Sequence, residues 1–161
     1  LLADTNEKVL IQTSDSKIQF KIGKSKLISK VIDGKFPDYR KVVPTSNDKI
    51  LTVSASDFVQ AIGRVITVSI DRKEGVKLVL GKDNIKFSVH STNSGEGNEI
   101  IKSNYTEEEM IVSFNSKYLV DIVSEVEDKN LKISLKDSVS PVLIEDMSDK
   151  NSYYVVMPMK I

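Results

Sequence analysis

LTVSASDFVQAIGRVI, residues 51–66, decides the fold, because MIVSFNSKYLVDIVSEV, residues 110–126, repeats its plan. Each stretch opens with a short apolar strand, at 51–53 and 110–112. Each then runs into a helix with one apolar stripe, expected over about 56–69 and about 116–127. Aligned on the first helical turn, Phe58 matches Tyr118 and Ile62 matches Ile122. The stripes are Phe58, Val59, Ile62, Val65 and Ile66 in one helix, and Tyr118, Leu119, Ile122, Val123 and Val126 in the other. Three strands follow each helix, at 76–80, 85–89 and near 100–101, then at 131–135, 142–144 and 153–157. Val76, Leu78 and Leu80 correspond to Leu131, Ile133 and Leu135. Shared order and apolar phase over roughly fifty residues is an internal repeat. Both stripes need the same cover, so residues 45–161 are expected to form an α+β domain with pseudo-two-fold symmetry. Its two helices are expected side by side on one layer of antiparallel sheet, shared by both stripes.

Upstream, Val9-Leu10-Ile11, the alternating Ile18, Phe20 and Ile22, then Leu27-Ile28 and Val31-Ile32 read as strands. Three strands with one apolar face are marginal alone, so this part is expected to complete a domain lying mostly upstream. The first residue is Leu rather than Met, which fits a piece of a longer protein. GKFPDYRKVVP, residues 34–44, carries two prolines and no period, and reads as an extended connector and domain boundary. The Gly-rich stretch from Asn93 to Asn98 reads as a loop between strands.

Composition excludes several functions. The chain has 161 residues, 40% apolar and 29% charged, the profile of a globular protein with a packed core. Lys plus Arg and Asp plus Glu balance at 23 each, so net charge argues for no nucleic-acid partner and any such contact must be local. Absence of Cys removes disulfides, thiolate metal sites and cysteine nucleophiles, and fits a reducing compartment. No apolar run is long enough to span a bilayer. The single His90 sits in a strand pattern and faces solvent. Glu107-Glu108-Glu109 and Glu125 to Asp128 read as solvated turns and a helix end, and no nucleotide-binding or nucleophile-elbow motif is present. No enzyme, metal or cofactor is expected, although a hydrolase using scattered carboxylates stays as a third reading.

Two features ask for a function. The ending YYVVMPMKI, 153–161, stays apolar where chain ends are usually polar, and Pro158 halts strand pairing beside Met157 and Met159. Methionine adapts to varied partners. In the connector, Pro37 and Val42 can wall an apolar groove.

GKFPDYRKVVP resembles the signature joining the second and third domains of bacterial sliding clamps, the beta subunit of DNA polymerase III. YVVMPMKI (154–161) is similar to that family's C-terminus, and DSVSPVLIED (137–146) to the strand before it. The resemblance covers the whole chain and implies a clamp fold, with 1–39 ending the second domain and 40–161 forming the third. It further implies a homodimeric, cytoplasmic ring around duplex DNA, binding without regard to sequence and conferring processivity. Such a ring tethers the polymerase alpha subunit, the clamp loader and repair polymerases through linear peptides. Transferred residue by residue, the peptide cleft comprises Pro37, Lys41, Val42, Asn115, Tyr118, Val139, Pro141, Val155, Met157, Pro158 and Met159. Lys41 stands where the family often has Arg and lacks its planar fork. Arg64, Arg72 and Lys73 are candidates to face DNA, and Thr67, Val68 and Ile70 to meet the partner subunit. This length of chain alone is expected to be monomeric. The alternative is a β-rich peptide-binding adaptor unrelated to DNA.

Overall fold

The computed structural model describes residues 7–69, 75–91 and 94–160. The chain divides into two units, Leu1–Asp38 and Tyr39–Ile161. The first is a three-stranded antiparallel sheet of β1 (Leu10–Thr13), β2 (Lys17–Ile22) and β3 (Ser25–Lys30), in that order. Gly23, at φ 51°, closes the β2–β3 turn in a region that side chains disfavour. Pairing sets Ile11, Phe20 and Leu27 in one cross-strand row. Strand alternation adds Ile18 and Ile22 to the same face. Among the described residues of the unit nothing covers that face, and Ile11 and Leu27 remain about half exposed, at 55% and 49%. Val31 and Ile32, expected as strand, lie beyond β3.

The second unit contains the repeat. Its elements are β4 (Lys49–Ser54), α1 (Ala55–Val65), β5 (Gly75–Gly81), β6 (Asn84–Ser91) and β7 (Gly95–Lys102). The second copy supplies β8 (Met110–Asn115), α2 (Ser116–Ser124), β9 (Asn130–Leu135), β10 (Val142–Asp146) and β11 (Tyr153–Val156). Each copy gives its first strand to the other. The cover is therefore two sheets rather than the one shared sheet expected: one runs β11-β10-β9-β4 and the second β7-β6-β5-β8, both antiparallel. The two sheets are stitched at matching places. Thr52 of β4 exchanges backbone hydrogen bonds with Asn104, just past β7. Met159, just past β11, donates its N–H to Ser113 O of β8 at 2.8 Å.

Each helix starts where its strand ends because a polar residue caps it. Ser54 Oγ accepts from Asp57 N–H, and Asn115 Oδ1 from Lys117 N–H. These caps set the correspondence between copies, and it differs by one residue from the sequence alignment. Phe58 matches the buried Leu119, and Ile62 the buried Val123, while Tyr118 is 58% exposed. Tyr118 and Ile122 therefore lie beside the inward stripe, not at its centre. The core joins both helices to both sheets: Phe58 packs edge-on to Phe87 with ring centroids 5.3 Å apart, and Leu119, Leu131, Ile133 and Ile144 are buried with them.

The helices are shorter than their patterns. α1 tightens into a 3-10 turn over Ile66–Val68, and α2 stops at Ser124 with Glu125 as cap. The Gly-rich stretch is a second correction, since β7 begins at Gly95. Gly97 is where the helix backbone meets the sheet: a Cβ there would lie 2.7 Å from Val65 O. Gly97 thus serves close packing, while Gly95, at φ 102° with open space around it, serves the turn into the strand. Tyr39–Lys41 form a 3-10 turn closed by Val42 N–H on Tyr39 O, because no proline intervenes between Pro37 and Pro44. The connector is thus less extended than its prolines suggest.

Gly97→Ala should lower unfolding free energy by about 1–3 kcal/mol through overpacking. Gly63→Ala on α1, where a Cβ meets nothing within 4 Å, should raise it by about 0.5–1 kcal/mol. Urea denaturation of the two variants beside the parent checks both signs.

Candidate functional site

The C-terminal tail carries the exposed apolar side chains Val155, Met157 and Met159. Along β11 and beyond, Tyr154 and Val156 turn inward while Val155, Met157 and Met159 turn outward. Val155 pairs with Leu143, and Val142 with Val156, so the register carried one residue further sets Pro141 beside Met157. After Pro158 the Met159 hydrogen bond pins the tail to β8, two residues before Asn115 and five before Tyr118. Pro141 is thereby set beside Met157 and Val155, and Met159 beside Ser113 of β8.

Two polar residues hold this surface in shape. Asn47 Nδ2 donates to Ser134 O at 2.8 Å and to Pro141 O at 3.0 Å, tying the end of the connector to the 137–141 loop. The Asp137 carboxylate accepts from Val139 N–H, Ser140 N–H and the Ser140 hydroxyl, so the loop is a closed Asx turn with Val139 at its tip. Those bonds, the Val139 N–H foremost, hold the Asp137 carboxyl below its ordinary value. Neither residue was a sequence candidate. The Asp-Ser-Val-Ser-Pro pattern was the available signal for Asp137, whereas Asn47 reaches partners far along the chain and had none.

The other candidates fall as follows. Val42, Tyr118, Val139 and Met157 are each more than half exposed. Lys41 and Val42 are exposed beside Val43, which lines an open hollow with Leu143 and Tyr153. Asn115 is engaged in capping α2. Pro37 is exposed and belongs to the first unit. Arg64 is paired with Glu99 at 3.0 Å, and Lys117 with Asp121 one turn along α2. Thr67 donates to Arg64 O at 2.6 Å, and Val68 packs partly against the core. Ile70, Arg72 and Lys73 lie outside the described residues. Among the described residues no three His, Asp or Glu side chains are placed to hold a metal ion, and no helix is long and apolar enough to cross a membrane. His90 points away from the core, as its strand pattern indicates.

Comparison with known proteins gives the chain a family. The family described as "DNA polymerase III beta subunit, C-terminal domain" matches residues 40–160. The chain belongs to the beta sliding clamp family. It is 35% identical over 161 residues to the beta sliding clamp of Caulobacter vibrioides, covering 100% of this chain and 43% of that one. To the Escherichia coli K12 clamp it is 34% identical over 151 residues, 94% of this chain and 41% of that one. A crystal structure of the Bartonella birtlesii clamp, bound to griselimycin, superposes with a TM-score of 0.83 at 38% identity. It covers 95% of this chain and 41% of that one. This clamp chain thus spans less than half the length of its relatives. The family is non-catalytic, and the α+β architecture of two helices on antiparallel sheets is the clamp domain's own.

Asp146, buried at the end of β10, joins this clamp domain's sheet to the turn after α2. It accepts from the Ser148 hydroxyl and N–H and from Glu127 N–H. Those bonds, the Ser148 hydroxyl foremost, lower its pKa from 3.8 to about 2. A carboxyl depressed by folding stabilises the fold above its unfolded pKa and loses that contribution as pH falls through the folded one. Asp146→Asn should therefore melt below the parent at all pH above about 4, with the gap closing as pH falls towards about 2. Melting curves across that range measure it. Asn47→Ala should lower unfolding free energy by about 1–3 kcal/mol by stranding two part-buried carbonyls.

Proposed function

We propose that this chain is the partner-binding part of a bacterial processivity clamp, and that its tail surface takes linear peptides. Residues 1–39 are the end of the clamp's second domain and 40–161 its third. The uncovered apolar face of the β1–β3 sheet and the family match beginning at residue 40 support that division. In the whole clamp, two chains close into a cytoplasmic ring around duplex DNA, and the ring holds the polymerase alpha subunit, clamp loader and repair polymerases nearby. Topology and raised effective concentration then supply processivity without catalysis.

The observation that carries the binding reading is that Tyr118, Val139, Val155, Met157 and Met159 are all exposed, on a tail whose backbone pairs with β10 and bonds to β8. A soluble surface seldom leaves so many large apolar side chains open without a partner. Leu and Phe anchors of a peptide would bury against them, and such anchors dominate binding energy. Within the second unit, Lys41, Val42, Asn115, Pro141 and Pro158 complete the proposed wall. Thr67, Val68 and Ile70 are proposed at the contact with the second subunit, and Arg64, Arg72 and Lys73 near DNA.

One observation favours the adaptor reading. The described helices expose two cations, Arg64 and Lys117, and both are paired with carboxylates. Sliding needs only loose phosphate contacts, and so tolerates this. Loading the full-length protein onto nicked circular DNA separates the readings. A clamp is retained on the circle and released on linearisation, and an adaptor is indifferent to linearisation.

A peptide carrying Gln, Leu and a terminal Leu-Phe should bind the 161-residue chain, and Met157→Ala with Met159→Ala should weaken it about tenfold or more. Isothermal titration checks this, and an unchanged affinity in the double variant would move the site elsewhere.

A further inference from the structure

Beside the tail lies an open hollow of about 610 Å³, which shares Met159 with the apolar site. Lys77, Ser88, His90, Glu96, Met159 and Lys160 line it. Pairing explains the arrangement: Lys77 lies between Ser113 and Ser88, and His90 lies opposite Glu96. These residues occupy the outer face of the β7-β6-β5-β8 sheet, since the alternate positions Val76, Leu78, Phe87 and Val89 are buried. Strand alternation adds Lys86 and Lys102 to this face. Within the four strands Glu96 is the one carboxylate turned outward. Glu99 turns to the helix side, where it holds Arg64. The hollow itself carries Lys77 and Lys160 against the single carboxylate Glu96, with Lys86 and Lys102 further along the same face, and Met159 at its edge is fixed to β8 by its backbone hydrogen bond.

We propose that the peptide-binding surface continues past Met159 into this hollow, which takes the acidic segment flanking a bound peptide's apolar anchors. The inference rests on the peptide-site reading and adds a rule of partner choice to it. Met159 belongs to both surfaces, so a peptide covering it passes directly onto the cationic face. Strands lie about 4.8 Å apart, so β5 is about 10 Å from the tail, the span of about three extended residues. An Asp or Glu about that far from the anchor over Met159 meets Lys77, with Lys160 alongside. Exposed ion pairs of this kind are modest, about two- to fivefold each in affinity at low salt.

The test uses the 161-residue chain and peptides sharing one Gln, Leu, Leu-Phe core. Each peptide is extended before or after the core by Asp, Ser or Lys about three residues away. On one flank the order of affinity is Asp above Ser above Lys, with steps of about two- to fivefold that vanish near 0.5 M salt. Lys77→Glu reverses that order and leaves the Ser-flanked peptide unchanged, and its melting curve reports that the fold is kept. If the core peptide binds but charge on neither flank matters, this inference is overturned and the apolar site stands. If the core peptide does not bind at all, both are overturned.

Discussion

Each half of the repeat owns a helix whose apolar stripe it cannot cover alone, and the exchange of β4 and β8 meets that constraint. A helix exposing Phe58, Ile62 and Val65 needs sheet on one side and a neighbour on the other. Giving each first strand to the opposite sheet makes every helix emerge from one sheet and pack over the shared core of both. The Ser54 and Asn115 caps turn the chain at the two equivalent corners. The Thr52–Asn104 and Ser113–Met159 bonds then close the seams between the sheets at equivalent points. Neither copy has a complete sheet without the other, so the domain is expected to fold as one cooperative unit.

The site follows from the same exchange. The seam at Ser113 belongs to a strand given away by one copy and to the tail of that same copy, which must therefore cross from one sheet edge to the other. Pro158 lies within this crossing, where strand pairing with β10 has ended. The crossing turns Met157 and Met159 outward beside the β8–α2 corner. The 137–141 loop is brought alongside by the β10–β11 register and held by Asn47 and Asp137. A surface built this way is apolar because its residues finish no core of their own, yet ordered because its backbone belongs to the fold.

Much of this was legible in the sequence, and the failures have physical causes. Apolar phase located every strand of the repeat and both helices, since period and burial are directly linked. It misaligned the copies by one residue, because two adjacent apolar residues, Tyr118 and Leu119, both fit a helical stripe and only the cap decides between them. The glycines near 95–98 looked like a loop, because the reason for Gly97 is a helix backbone more than thirty residues earlier. Tail and connector were found as anomalies of composition, but the bonds of Asn47 connect positions whose proximity only the fold creates. The pairing of Arg64 with Glu99 was hidden for the same reason, and it qualifies a cation that looked free for DNA.

The most direct measurement is a crystal structure of this chain with a peptide carrying the Leu-Phe ending. The account predicts those anchors seated among Tyr118, Val139, Val155, Met157 and Met159, with the tail backbone still bonded to Ser113. Density for the peptide on another face, or a tail released from β8 to admit it, would contradict the account.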